Sequence, residues 1–143
     1  MKLALAGDHG GFALKEAVKR ALAEQGYEVL DLGTDSDASV DYPIFAKKCA
    51  DAVAAGRADK GVVFCGTGIG VSMAANKVKG IRCALITSDE YARLAAEHND
   101  ANMIALGGRF TTEADALRYI GIWLAAPFGG GRHARRVAEL NEM

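Results

Sequence analysis

The chain has 143 residues, 50% of them hydrophobic and 24% charged, a composition that can build a globular core without staples. Its formal net charge of -1 gives the whole molecule no pull toward nucleic acid or acidic membranes, so any anion site must be local. Three widely spaced cysteines, Cys49, Cys65 and Cys83, argue against a disulfide framework, and the absence of a C-x-x-C pair argues against zinc.

From the amino end, Lys2 to Ala6 reads as a short apolar strand closed by G-D-H-G-G. Phe12 to Gln25 then spaces Phe12, Ala13, Ala17, Val18, Ala21 and Leu22 along one helical face, and Gly26 fits the glycine that ends it. Y-E-V-L-D-L is the second strand, followed by a loop in which Asp41 is placed to cap a helix with Pro43 just inside it; that helix runs to about Ala55. G-V-V-F-C, ending at Cys65, is the third strand, with a helix from near Ile69 to Asn76. I-R-C-A-L-I-T, from Ile81, is the fourth strand, and Ser88 caps the helix that ends at Asn99. N-M-I-A-L-G-G is the fifth strand, Thr111 to Leu124 an amphipathic helix, and R-H-A-R-R-V-A-E-L, from Arg132, a last helix.

Helices alternating with near-continuous apolar strands imply a parallel sheet covered on both faces, here one doubly wound α/β domain over residues 1–143 with five strands and a C-terminal helix. The apolar start is cut short by Asp8, too early for a signal peptide. The uncharged stretch from Val62 to Ala75 is glycine-rich and falls short of the roughly 20 residues a membrane helix needs. The expected setting is the reducing cytoplasm, with neither membrane nor nucleic acid as partner.

Ligands of such sheets sit at the carboxyl ends of the strands, near the topological switch point. Asp8 and His9, Cys65 to Gly70, His98 with Asn99, and Arg109 are all expected to gather there. The run C-G-T-G-I-G is the most unusual of these. Its glycines, Gly66, Gly68 and Gly70, let a ligand approach the main chain, and the following helix directs N–H groups at it. Cys65 at that entrance is either a buried thiol in a tight turn or a proton acceptor and nucleophile, whereas Cys49 and Cys83, inside a helix and a strand, read as core. A dinucleotide loop is a poorer match, because Val71 stands where the fingerprint has Gly or Ala and the run follows the third strand.

Asp8 either binds hydroxyls or caps the first helix, and His9 either binds an anion or is merely solvated. His98 either passes protons to a sugar ring oxygen or complements the helix end, with Asn99 as cap. Arg132 and Arg136 share one helical face after three glycines, suiting phosphate, or form a solvated basic helix end; Arg109 is a further candidate. Together the residues suit a small polyol phosphate and a carbon-acid reaction, with no cofactor and no metal expected.

The ordered motifs D8-H-G-G, V40-D-Y-P, C65-G-T-G-I-G-V-S-M-A-A-N-K, G80-I-R, H98-N-D-A-N and G130-G-R-H-A-R-R-V resemble the ribose-5-phosphate isomerases of the B type over essentially the whole chain. That family also holds galactose-6-phosphate and allose-6-phosphate isomerases. The resemblance implies a Rossmann-like homodimer, or a tetramer, interconverting ribose 5-phosphate and ribulose 5-phosphate without metal or cofactor. It implies Cys65 as the base moving a proton between C1 and C2, His98 as the ring-opening residue, and Thr67 as an aid to proton transfer. Gly66, Gly68, Ile69 and Gly70 correspond to the cradle for the enediolate, and Asp8, His9, Asn99, Arg109, Arg132 and Arg136 to the substrate-binding set, shared across the dimer interface. Relatives with a glutamate base carry it a few positions downstream, where this chain has Val71, Ser72 and Met73. A hexose phosphate preference and a non-catalytic sugar-phosphate sensor are the alternatives.

Overall fold

The computed structural model describes residues 1–143. The strands are β1 (Lys2–Gly7), β2 (Glu28–Asp31), β3 (Lys60–Cys65), β4 (Cys83–Leu85) and β5 (Met103–Gly107). The helices are α1 (Phe12–Glu24), α2 (Tyr42–Ala54), α3 (Ile69–Ala75), α4 (Asp89–Glu97), α5 (Glu113–Ala125) and α6 (Arg132–Asn141). The strands form one parallel sheet, as the strand–helix alternation predicts, and their order is β2-β1-β3-β5-β4.

Side chains of a strand alternate between faces, and each face here meets its own helices. Leu3, Leu5, Val62, Phe64, Ile104 and Leu106 pack with residues of α1, α4 and α5 around the buried Trp123. The alternate positions Ala4, Ala6, Val63, Cys65, Met103 and Ala105 pack with α2 and α3. Cys65 therefore belongs to the second face, with only 6% of its surface exposed.

Local signals fix most boundaries. Gly26 has φ +92° after α1, Ser88 Oγ accepts from the Tyr91 amide at 3.2 Å, and Thr112, rather than Thr111, caps α5 through the Asp115 amide at 3.1 Å. Asp41 stands at the start of α2 in extended geometry, but its side chain makes no capping hydrogen bond. The fourth strand is shorter than the expected Ile81–Thr87 because it lies at the sheet edge with β5 as its one neighbour; Met103 N–H to Arg82 O and Ile86 N–H to Ala105 O extend that contact at either end. No helix is long and apolar enough to cross a membrane.

The chain leaves β1 for β2 on one side and returns to β3 on the other, so the switch point lies between the carboxyl ends of β1 and β3. An ion pair between a buried lysine and a partly exposed aspartate steadies this rim. The Lys15 side chain is wholly buried, with Nζ 2.9 Å from both Glu16 Oε1 and Asp31 Oδ1. Asp31 Oδ1 also accepts from the Gly33 amide at 3.0 Å, and Gly33 and Thr34 exchange backbone hydrogen bonds of 2.8 Å with Gly7. Burial pushes the Asp31 carboxyl up, but Lys19, the Gly33 amide and Lys15 outweigh it and hold the group below the ordinary carboxylate range.

A depressed carboxylate contributes stability above its unfolded-state value and loses it as pH falls through the folded value. Asp31→Asn is expected to cost about 2–3 kcal/mol at neutral pH, less than complete loss of a buried partner because Glu16 remains beside Lys15. Urea unfolding of both proteins should show that difference narrowing on acidification; a difference independent of pH would contradict the ion pair's part in it.

Candidate active site

At the carboxyl ends of β1, β3 and β5 three loops interlock. The amides of Gly108 and Arg109 donate to the carbonyls of Cys65 and Gly66 at 2.7 and 3.0 Å, while the Asp8 amide donates to Phe64 O at 3.1 Å. Gly68 has φ +82°, and a Cβ there would stand 2.6 Å from Leu85 Cδ1, so both conformation and space demand glycine. The turn it makes brings its amide to Cys65 Sγ at 3.1 Å, and the Ile69 amide donates to Thr67 Oγ1 at 3.1 Å. The amides of Gly66, Thr67, Gly70 and Val71 donate to no group of the chain. The expected cradle is thus split: Gly68 and Ile69 are already satisfied, and the amides of Gly66, Thr67 and Gly70 remain unpaired, as does that of the wholly buried Val71.

Around this thiol the remaining carboxyl-end residues take up fixed places. Asp8, 7% exposed, accepts from the Gly10 and Gly11 amides through Oδ1 at 2.9 and 3.1 Å. It holds the loop before α1, whose N-cap is Gly11, so the capping reading of Asp8 is realised one step ahead of the helix. His9 Nδ1 accepts from the Val40 amide at 3.2 Å, leaving Nε2 as the nitrogen that carries the proton of the neutral ring. The Arg109 guanidinium lies over the loop, with Nη1 2.8 Å from where a Gly66 Cβ would stand. Tyr42 covers Gly70 in the same manner and shares with it a recess of about 400 Å³ that also borders Met73.

His98 and Asn99 do not join this cluster, contrary to the sequence-based expectation. A helix that returns from the carboxyl end of one parallel strand to the start of the next must finish at the amino end. His98 closes α4, its amide bonded to Leu94 O at 2.9 Å, and the chain then enters β5. The six residues of β3 span about 20 Å, which separates the two ends. At the amino end His98 stacks on His133 of α6, ring centroids 4.3 Å apart and planes inclined by 15°. Arg132 starts α6 directly after Gly130 and Gly131, and these residues with Glu97, His98 and Gly129 line a recess of about 410 Å³. Arg136 lies one turn on, exposed like Arg132. The residue with left-handed backbone after α4 is Asp100, at φ +44°, so Asn99 is not the cap it resembles in sequence.

The geometry therefore divides the sequence candidates into a thiol half, comprising Asp8, His9, Cys65 to Gly70 and Arg109, and a histidine–arginine half, comprising His98, Asn99, Arg132 and Arg136. His133 and Tyr42 were not singled out from sequence; each lies inside a quoted motif, but only the folded chain reveals the stack and the cover. Burial, joined by the charge of Cys83, pushes the Cys49 thiol far up, and burial alone pushes Cys83 up to about 12, so both are protonated at neutral pH and belong to the core. No three His, Cys, Asp or Glu side chains converge to hold a metal ion.

The sequence profile of the ribose/galactose isomerase family matches residues 3–140. Ribose-5-phosphate isomerase B of Escherichia coli is 44% identical over 136 residues, spanning 95% of this chain and 91% of that protein. The structure of Clostridium thermocellum ribose-5-phosphate isomerase B superposes with a TM-score of 0.97 at 51% identity, covering 99% of this chain and 96% of that one. That of Mycoplasma genitalium ribose-5-phosphate isomerase B with bound ribulose-5-phosphate gives 0.93 at 41% identity, covering 99% and 94%.

Partial burial at the stack, then the charges of His98, Arg132 and Arg136, hold the His133 imidazole below the ordinary histidine value. A lowered value favours the neutral ring, so His133 is expected to titrate by NMR at lower pH than a free histidine and to move back toward it in His98→Ala. A His133 midpoint at or above the ordinary value would contradict the stack.

Proposed function

The chain belongs to the ribose/galactose isomerase family, and from that premise we propose that it interconverts D-ribose 5-phosphate and D-ribulose 5-phosphate through an enediolate at a site built from two copies of the chain. The observation that carries this reading is the position of Cys65 beside a loop with unpaired amides, together with the placement of His98 and the arginines at the opposite end of the sheet. One copy supplies the thiol half and a second the histidine–arginine half.

In the aldose-to-ketose direction, His98 takes the proton from the anomeric hydroxyl and delivers one to the ring oxygen, which opens the furanose. The Cys65 thiolate then removes the proton at C2, and charge builds on the carbonyl oxygen at C1. The free amides of Gly66, Thr67 and Gly70 are suited to hold that charge, where one preorganised donor is worth about 2.7–4 kcal/mol. Cys65 returns the proton to C1, and the Thr67 hydroxyl relays the proton of the C2 hydroxyl toward the C1 oxygen, so that two hydrogens change place and nothing is consumed.

Substrate is held at both ends. Asp8 and Asn99 bind hydroxyls; Arg132 and Arg136 fork onto the phosphate with Arg109 and His9 Nε2–H. Unpaired arginines on one helix face repel one another mildly, and a phosphate between them removes that cost. Arg135, between them in sequence, lies instead 3.9 Å from Glu139.

The test is turnover of ribose 5-phosphate and allose 6-phosphate by the wild type and by Cys65→Ala. Preference for ribose 5-phosphate is expected, with kcat reduced at least about a hundredfold in the variant, the usual scale for losing an acid–base group. Preference for the hexose phosphate would change the substrate and keep the chemistry. Undiminished activity in Cys65→Ala would end the role given to the thiol, and no turnover of either sugar by the wild type would leave a sensor.

A further inference from the structure

Gly80-Ile81-Arg82 stands out in the sequence and takes no part in the chemistry above. Arg82 lies at the amino end of the sheet, just before β4, and only 14% of its side chain is exposed. Every nitrogen of its guanidinium is committed. Nε donates to the carbonyls of Asn99 and Asp100 at 3.1 and 3.2 Å, and Nη2 donates to Asp100 O at 2.7 Å. Nη1 donates to Asn141 Oδ1 at 2.6 Å and to Gly80 O at 3.4 Å. The Asp100 carboxylate is 3.7 Å from Nη2.

These partners belong to the two elements that carry the histidine–arginine half. Asn99 and Asp100 form the corner directly after His98, and Asp100 holds it in the left-handed conformation that few side chains adopt. Asn141 is the last residue of α6, the helix of Arg132, His133 and Arg136. That helix has little else to fix it, since Val137 is its one buried residue and the His98–His133 stack holds its first turn. The rigid planar fork of arginine is what lets one side chain tie a corner and a helix end together; a lysine, with one point of charge, cannot reproduce it.

We propose that Arg82 is a positioning residue for the histidine–arginine half, fixing α6 against the His98–Asn99 corner so that both phosphate arginines and the ring-opening histidine meet the substrate together. The inference rests on the function proposed above. Arg82 touches neither substrate nor thiol, and it acts through Arg132 and Arg136.

The experiment compares Arg82→Gln and Asn141→Ala, each alone and combined with Arg136→Ala, in steady-state turnover of ribose 5-phosphate. Arg82→Gln should raise KM about tenfold, the scale expected when a substrate-holding group is displaced by part of an ångström. Asn141→Ala, which cuts only the tie to α6, should raise KM by a smaller factor and keeps the test available should Arg82→Gln not fold. In the Arg136→Ala background both effects should be smaller, with Arg132 left as the one phosphate arginine to be displaced, because residues acting through one another do not add. Unaltered KM in both variants or full additivity with Arg136→Ala would each overturn the proposal. An Arg136→Ala enzyme with normal KM would instead overturn the phosphate assignment on which the proposal stands.

Discussion

The direction of the strands is the constraint from which the rest of this molecule follows. All five run parallel, so every turn after a strand lies at one rim and every turn after a returning helix lies at the other. The thiol and its amides are bound to the first rim by β3, and His98 to the second by α4. No rotamer change closes a gap of about 20 Å. A chemistry that needs a base, a ring-opening acid and a phosphate clamp around one five-carbon sugar can be assembled from these parts only by a second chain presenting its amino-end rim to the first chain's carboxyl-end rim. Two-fold association, as proposed, would do this reciprocally and give two equivalent sites.

At the carboxyl-end rim, packing and chemistry are the same problem. The loops after β1, β3 and β5 are bonded to one another through their backbones, so the amides that face a ligand are held by the core beneath them. Donors fixed in this way need no rearrangement as charge develops, which is the source of their catalytic value. Gly68 makes the turn, and in doing so sets its own amide on Cys65 Sγ. The Lys15–Asp31 pair extends the same support sideways, since it anchors the strand end that bonds Gly7, next to Asp8. The amino-end rim is built differently, from one helix that buries only Val137 and is held by a ring stack and an arginine fork.

Most of the fold was legible because hydrophobic pattern and punctuation agree along the chain: near-continuous apolar runs in β1, β3 and β5, glycine after α1, and Ser88 before α4. The edge strand β4 was overextended because a run of apolar residues does not reveal how many neighbours a strand has. Within the site, the residues of the thiol half were readable from C-G-T-G-I-G, but which amides remain free was not, since that depends on where Sγ and Thr67 Oγ1 turn. The error over His98 has a different origin. Its residue type and motif pointed to the chemistry, while its rim follows from the connection direction, which the grouping by residue type overlooked. The partnership with His133 joins residues distant in sequence and becomes visible only in the folded chain.

The central claim is that each site draws Cys65 from one chain and His98 from another, and complementation tests it most directly. Cys65→Ala and His98→Asn, each inactive alone, would be unfolded together, refolded as a mixture and assayed with ribose 5-phosphate. Shared sites predict that every mixed dimer regains one intact site, so activity returns to roughly one quarter of the wild-type level for random two-fold pairing. A mixture as inactive as its components, in dimers shown to have exchanged chains, would contradict the shared site and require both residues to act within a single chain.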